Sequence, residues 1–487
     1  MPTDWKDKLK KPLEWSIADQ DETAMLADLQ CNILKGHGRR HSQQIFLRFE
    51  RDSANLAAHR EYVSKLLAAR VVSQLAQLQD SADLKKLDDG ARADRKKQKN
   101  PIIAFMLSAT GYDALEALNH QPQDKSFLKG MRAQRDLLND PPLIEWDEHF
   151  RGEVHAIILI ADSSPEFVQE TRIELLANRP GGVTVLGTEI GAQQVDKDDE
   201  GVEHFGYVDG RSQPLMLVEE IQREMATEGI VNPKDWKWNP EFPIGTALVK
   251  DPGGVHDYSH GSYFVFRKLE QDVKGFKEEE QKLANKLRLV DEEREIVGAY
   301  VIGRFEDGTP VIQSNVELRD TTHKISNNFN YDDDSKGLKC PFASHTRKTN
   351  PRGDSVTVLG ITAEEERSHI MARRGITYGA RLENMSDRPK RDVGLLFMAY
   401  QNNIGEQFEF TQESWVNAEG FVHNGEAGPD FPLTGLDPVI GQGIRKAQRW
   451  PREYGKGELV EFGFSRFVTM KGGEYFFAPS ISFLKSL

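Results

Sequence analysis

The feature that most constrains the fold is a strand-then-helix rhythm in the first half of the chain. QIFLRFE (44–50) leads into an amphipathic run through Leu56, Val63 and Leu66, IIAFML (102–107) into YDALEAL, and VHAIILIA (154–161) into SSPEFVQETRIELLA. The third helix start is the best marked: Ser164 can cap it, Pro165 suits its first position, and Glu166 complements its dipole. VTVLGTEIG (183–191) returns as a further strand. Strands and helices mixed in this order predict an antiparallel sheet with helices packed on one face.

A second set begins at SYFVFRK (262–268), continues into a charged helix from Asp272 to about Leu289, and resumes at GLLFMAY (394–400). It closes with FVTMKGGEYFFAPS (467–480), which reads as a hairpin turning at Gly472 and Gly473. The two sets do not repeat at a fixed period. The polar tracts ADLKKLDDGARADRKKQKNP (82–101) and YDDDSKGLK (331–339) read as solvated loops with no chemistry assigned.

A length of 487 residues allows two to three domains and a large buried core. With 63 basic against 77 acidic residues the net charge is −14, so the chain lacks the concentrated cationic face that nucleic acid requires. Cys31 and Cys340 are the sole cysteines, too few for a disulfide framework or a thiolate metal site. The N-terminal MPTDWKDKLKKPLEWSIADQDE has no signal-type apolar run, and no later stretch approaches the ~20 apolar residues of a membrane span. The chain is therefore expected in the cytoplasm and away from membranes, with non-classical export or encapsulation by a partner left open.

Three motifs carry the candidate chemistry. His345 lies in CPFASHTRKTNPRGD (340–354), Asp209 in the turn FGYVDGRSQP (205–214), and Arg373 in ARRGITYG (372–379). Each alone has a plain structural reading. One imidazole without further His, Cys or carboxylate at ligand spacing is no protein-built metal site, and suffices only for haem, where the porphyrin supplies four ligands. Asp209 between glycines can simply cap its own backbone, and Arg373 with Arg374 can simply close a segment before Gly375.

Together with GLLFMAYQ (394–401) and KGGEYFFAPSISFL (471–484), these strings resemble, in order, the signature of the dye-decolourising peroxidases, in particular their long-chain subgroup with fungal and bacterial members. DLQCNILKGHGR (28–39), GSYFVFRKLEQDV (261–273) and GLDPVIGQ (435–442) fit the same family, so the resemblance spans about residue 28 to the C-terminus. It implies an α+β fold of the dimeric α+β barrel type. Two ferredoxin-like halves, 1–240 and 241–487, carry antiparallel sheets and peripheral helices and meet in the Pro/Gly-rich stretch 232–256.

The resemblance also implies one haem b per chain, with hydrogen peroxide and bulky phenolic or dye-like donors as substrates. His345 matches the proximal iron ligand, and Asp437 of GLDPVIGQ is the candidate acceptor behind it, an ordinary loop Asp before Pro being the alternative. Asp209 matches the distal proton shuttle and Arg373 the distal cation, leaving Arg374 at the surface or on the propionate side. Leu395 and Phe397, two apart on a strand and so facing the same way, would line the distal face, with core packing as the rival account. The cations of HTRKTNPR suit haem propionates, Arg347 first among them. Tyr378, five residues after Arg373, sits where some members have a surface-reaching electron relay, its alternative being a packing tyrosine. Gly375 stands where some bacterial relatives have Asn. Two readings from other classes remain: a haem carrier or iron-release protein, and an interaction protein without cofactor.

Overall fold

The computed structural model describes residues 5–319, 325–380, 388–421 and 434–487. Nine strands organise it: β1 (His41–Phe49), β2 (Ile102–Leu107), β3 (Ala156–Asp162), β4 (Val183–Ala192), β5 (His260–Gln271), β6 (Ala372–Arg373), β7 (Ile376–Tyr378), β8 (Gly394–Gln401) and β9 (Val468–Ala478). All but β6 close into one antiparallel barrel in the order β5-β9-β2-β3-β1-β4-β7-β8, with β8 returning to β5. The first four strands lie in the order β2-β3-β1-β4 and the last four as β9-β5-β8-β7, so each half has the same ferredoxin-like strand order. The sequence pattern suggests a sheet in each half. Closure into a shared barrel satisfies the edges that two separate sheets would have left open.

Because strand residues alternate between faces, the barrel sorts side chains into an interior and an exterior set. Phe46 on β1 meets Phe266 on the non-neighbouring β5 with ring centroids 4.9 Å apart, and Phe150 packs beside both at 4.8 and 5.8 Å. These rings mark the interior. Met398 pairs with Phe266, and Tyr378 and Leu396 follow in the same alternation, so they point inward. Val265, Arg267, Leu395, Phe397 and Arg373 lie on the opposite, outer face.

Helices lie outside the barrel. In α1 (Pro165–Leu176), Ser164 Oγ accepts from Phe167 N at 3.2 Å with Pro165 in the first turn, as the sequence predicts. Asp272 caps α2 (Val273–Leu287) by accepting from Gly275 N at 2.8 Å. Two further helices, α3 (Ile296–Ile302) and α4 (His345–Thr349), pack on each other, and α4 also packs on the turn Thr411–Val416. No helix among the described residues is long and apolar enough to cross a membrane.

Three sequence expectations are corrected. Residues 467–480 are no hairpin: β9 runs straight through Gly472, whose φ of 143° accompanies a register shift after Met470. At Gly473 a Cβ would come within 2.2 Å of the Phe266 carbonyl, so the glycines serve a bulge and a close strand contact rather than a turn. The tract 82–101 is largely helical, because Gln74–Lys86 and Asp89–Lys96 are helices and Asp88 caps the second through Ala91 N at 2.8 Å. Asp334, within the supposed solvated loop, is buried and accepts from the backbone N–H groups of Leu338, Lys339 and Cys340.

Candidate active site

His345 opens α4, which packs on α3 and on the turn Thr411–Val416. Its Nδ1 donates to Asp437 Oδ2 at 2.8 Å. The other carboxylate oxygen accepts from Val439 N at 2.7 Å and Ile440 N at 2.9 Å, which locks the orientation of Asp437. Burial alone would raise the Asp437 pKa, but His345 and the two backbone donors outweigh it and hold the carboxyl below its ordinary value. With Nδ1 committed as donor, Nε2 carries the free lone pair, and the side chain is 23 % exposed while Asp437 is fully buried.

The two other motifs meet nearby. Arg373, on β6, accepts structure from the residues after Asp209: its backbone N–H donates to Gln213 Oε1 at 3.1 Å, and its guanidinium to the Arg211 carbonyl at 3.0 Å. Asp209 itself is exposed, and Oδ1 accepts from Gly210 N at 2.6 Å, so the self-capping turn is present. No other hydrogen bond to this carboxylate is found among the described residues. The turn is braced from behind by Glu203, which accepts from Phe205 N at 2.8 Å, Tyr207 N at 3.0 Å and Gln271 Nε2 at 2.6 Å. Burial raises the Glu203 pKa to about 7 against these donors.

Leu395 and Phe397 are half-buried on the outer face of β8, with Leu396 and Met398 fully buried behind them. They share that face with Arg373 and form its apolar part. A Cβ at Gly375 would lie 3.5 Å from Leu395 Cδ1, in ordinary van der Waals contact with this apolar wall.

Arg347 corrects the expected propionate contact. It is fully buried, and its five N–H donors are taken by Asp354 Oδ2 (2.6 Å) and Oδ1 (3.1 Å), Asp334 Oδ2 and carbonyl (both 3.1 Å), and the Cys340 carbonyl (2.6 Å). Tyr331 and Phe342 cover its faces at 4.4 Å each. No donor is left for a cofactor carboxylate. Lys348 is likewise committed, donating to the Ala418 carbonyl at 2.7 Å and to the Phe421 carbonyl, and burial lowers its pKa to about 7. Arg374 is neither at the surface nor at the site. It turns into the protein and donates to the carbonyls of Asn32, Arg373 and Ile33, each at 2.8 Å.

Two other arginines take the place that Arg347 vacates. Arg304 and Arg352 are 6 % and 2 % exposed and converge on Ser212 Oγ at 3.1 and 2.6 Å and on Asn327 Oδ1 at 2.7 and 3.1 Å. Neither has a carboxylate partner among the described residues. Burial lowers the Arg304 pKa to about 9, with Arg352, Arg211 and Arg373 adding repulsion, and burial lowers Arg352 to about 10. Both are held by neutral acceptors, Arg304 also donating to the Gly308 carbonyl at 3.0 Å and Arg352 to the carbonyls of Asn327 and Phe329 at 2.8 Å each, so two buried cations without an ion-pair partner among the described residues stand side by side. Arg352 was visible in the NPR string. Arg304, from the unremarkable IGRFEDG segment (302–308), had no sequence signal.

Tyr378 is not surface-reaching. It is 6 % exposed, points into the barrel away from Phe397, lies under Lys268 Nζ at 5.1 Å, and its hydroxyl has no partner among the described residues. A buried phenol that has no acceptor for its proton and a cation over its ring is hard to oxidise. Tyr378→Phe is therefore expected to leave the ratio of bulky-dye to small-phenol turnover unchanged in parallel steady-state assays, and a selective loss on bulky dyes would reinstate the relay.

Residues 28–192 match the family described as the DyP dimeric alpha+beta barrel domain, and residues 227–424 the Dyp-type peroxidase C-terminal family. The chain is 42 % identical to Multifunctional dye peroxidase DyP2 of an Amycolatopsis strain, covering 100 % of both, and 30 % identical to Dye-decolorizing peroxidase msp1 of Mycetinis scorodonius, over 79 % of this chain and 75 % of that one. The solved Amycolatopsis structure superposes with a TM-score of 0.89 over 99 % of this chain and 100 % of that one. A DyP-type peroxidase from Anabaena, 37 % identical, gives 0.88 with 99 % of each covered. The full-length identity, the matched fold and the assembled motifs agree: the chain belongs to the family of DyP-type dye-decolourising haem peroxidases.

Proposed function

We propose that the outer face of the C-terminal half holds one haem b, with His345 Nε2 as its axial ligand, and that the enzyme reduces hydrogen peroxide while oxidising phenolic or dye-like donors. The observation that carries this reading is the Asp437–His345 hydrogen bond of 2.8 Å, in which the carboxylate takes the Nδ1–H and so fixes the tautomer and strengthens the ring as a donor. The residues present fit the cofactor. No three His, Cys, Asp or Glu side chains converge as a metal site among the described residues, so a single histidine needs a porphyrin to complete the coordination. Arg304 and Arg352 supply uncompensated cations for propionates, and Leu395 with Phe397 supplies an apolar wall.

When bound, haem supplies the iron that accepts two electrons' worth of oxidation from peroxide and returns it in one-electron steps. The chain's own residues do the rest. The Asp209 carboxylate takes a proton from the near peroxide oxygen and delivers it to the departing one. Arg373 stabilises the negative charge that develops on that oxygen, and its bond to the Arg211 carbonyl ties its position to the Asp209 turn. Phe397 and Leu395 restrict the space above to small peroxides. A solved relative, 25 % identical, holds 2,6-dimethoxyphenol, which supports phenols as donors here.

The central test is the absorption spectrum of haem-loaded protein with and without one equivalent of hydrogen peroxide. A Soret band that shifts on adding peroxide, followed by dye bleaching, is the expected result; a Soret band that peroxide leaves unchanged defeats the peroxidase assignment of these residues. The arginine pair has its own test. Arg304→Met should weaken haem retention by roughly tenfold or more, since a charge-assisted hydrogen bond contributes about 1.5–3 kcal/mol. Transfer of haem to apomyoglobin measures it, with thermal unfolding of the apoprotein as the folding control. An unchanged transfer rate would remove Arg304 from the cofactor site.

A further inference from the structure

Behind Phe397, on the same outer face, lies a tyrosine–carboxylate pair that the functions above do not use. Tyr475, on β9, is fully buried and its hydroxyl lies 2.9 Å from Glu409 Oε1. Glu409 is 4 % exposed and also receives Ser126 Oγ at 2.6 Å and Gln134 Nε2 at 2.9 Å. Each of these neighbours can donate, and no cation forms an ion pair with Glu409 among the described residues. The Tyr475 hydroxyl therefore has a carboxylate oxygen within hydrogen-bond distance to take its proton, on a side chain whose other partners are neutral donors.

The pair is also well placed for electron transfer. Arg373 pairs with Ala399, Ala399 with Val265, and Val265 with Tyr475, so the four form one row across the outer face. Three strand spacings separate its ends, ~14 Å. Rings bridge the interval. Phe397 and Phe408 have centroids 6.0 Å apart, Phe408 and Tyr475 6.1 Å, and Arg267, neutralised by buried Asp140, sits over Phe408 at 5.4 Å. Of the other tyrosines, only Tyr207 donates to a carboxylate among the described residues, and its partner Glu280 already has Lys277 at 3.1 Å. Burial and Glu409 hold the Tyr475 pKa well above its ordinary value, so the resting phenol keeps its proton.

Resting on the peroxidase reading, we infer that Tyr475 and Glu409 form an internal one-electron donor. In the peroxide-oxidised enzyme, Tyr475 gives one electron to the cofactor through Phe408 and Phe397, and its phenolic proton passes to Glu409. The product is a neutral phenoxyl beside a carboxylic acid. An external phenol then restores the pair: its electron reduces Tyr475, the proton returns from Glu409, and the donor's own proton leaves to solvent. The device holds an oxidising equivalent inside the protein until a donor arrives.

The test mixes haem-loaded enzyme with one equivalent of hydrogen peroxide and no donor, freezes it within milliseconds and records the electron paramagnetic resonance spectrum. The wild-type protein should show an organic radical that narrows when ring-deuterated tyrosine is incorporated. Tyr475→Phe, which removes one oxygen atom, should lose that signal, and Glu409→Gln, which cannot take the proton, should lose most of it. Tyr207→Phe should retain it. A full signal in Tyr475→Phe, or none in the wild type although its Soret band has shifted, overturns the inference. Absence of any Soret shift is a different outcome, because it overturns the peroxidase reading on which the pair depends.

Discussion

Replacing His345 with Ala should abolish stable haem binding. The single protein ligand to the iron is lost, and alanine has no lone pair to replace it. The readout is the Soret band and the haem-to-protein ratio after reconstitution, with circular dichroism of the apoprotein to show that it folds. Asp437→Asn tests the same axis more gently. Asp437 accepts with both oxygens whereas an amide has one, so the variant gives up the charge together with either the Nδ1–H bond or the backbone donors; the ring becomes a weaker donor, and loss of such a partner behind a ligating histidine typically costs about 10–100-fold in affinity or activity. Loss of haem in His345→Ala with weakened but measurable binding in Asp437→Asn is the expected pair of results. A wild-type Soret band in His345→Ala would show that the iron is held elsewhere.

Much of this was legible in the chain, for reasons that differ from element to element. Strands β2 and β3 announce themselves because both of their faces are covered, leaving the apolar runs IIAFML and VHAIILIA. Closure itself was not legible, since it depends on pairings between β4 and β7 and between β2 and β9 that each rest on one or two residues. The glycines of β9 misled because a bulge and a turn demand the same residue. At the site, the motif residues His345, Asp209 and Arg373 were readable from the family resemblance, and the structure brings their segments together. What misled was the assignment of charge. HTRKTNPR offers three cations, but only the fold decides what each one meets: Asp334 and Asp354 claim Arg347, backbone carbonyls claim Lys348, and Arg352 turns toward Ser212 and Asn327 beside the Asp209 turn. Tyr378 failed for a related reason. Its spacing from Arg373 fixes its strand position, but only the barrel decides that the position faces inward.

Arg373→Leu should slow the reaction with hydrogen peroxide by about 10²–10³, the range seen when a single preorganised donor to a developing oxyanion is removed. Leucine fills much of the same space, so haem content should be unaffected. The argument for charge rather than shape rests on the surroundings. Arg304, Arg352 and Arg211 already crowd this corner with positive charge, yet Arg304 and Arg352 are turned toward Ser212 and Asn327, and Arg211 is paired with Glu200 at 2.8 Å. Arg267, on the face that carries Leu395 and Phe397, is paired with Asp140, which leaves Arg373 as the cation of that face without an ion-pair partner among the described residues. Asp209→Asn is the complementary variant. The amide can still accept from Gly210 N, so the turn survives, but it cannot take a proton, and general-base loss is typically worth about 10²–10⁴. Stopped-flow mixing with hydrogen peroxide, followed in the Soret region, separates the two roles. Slowing in Asp209→Asn that an added small base partly rescues identifies proton transfer, whereas Arg373→Leu should gain nothing from the same base. If both variants react at the wild-type rate, neither residue acts in the peroxide step, and the haem-bound chain is a carrier at this site rather than a catalyst.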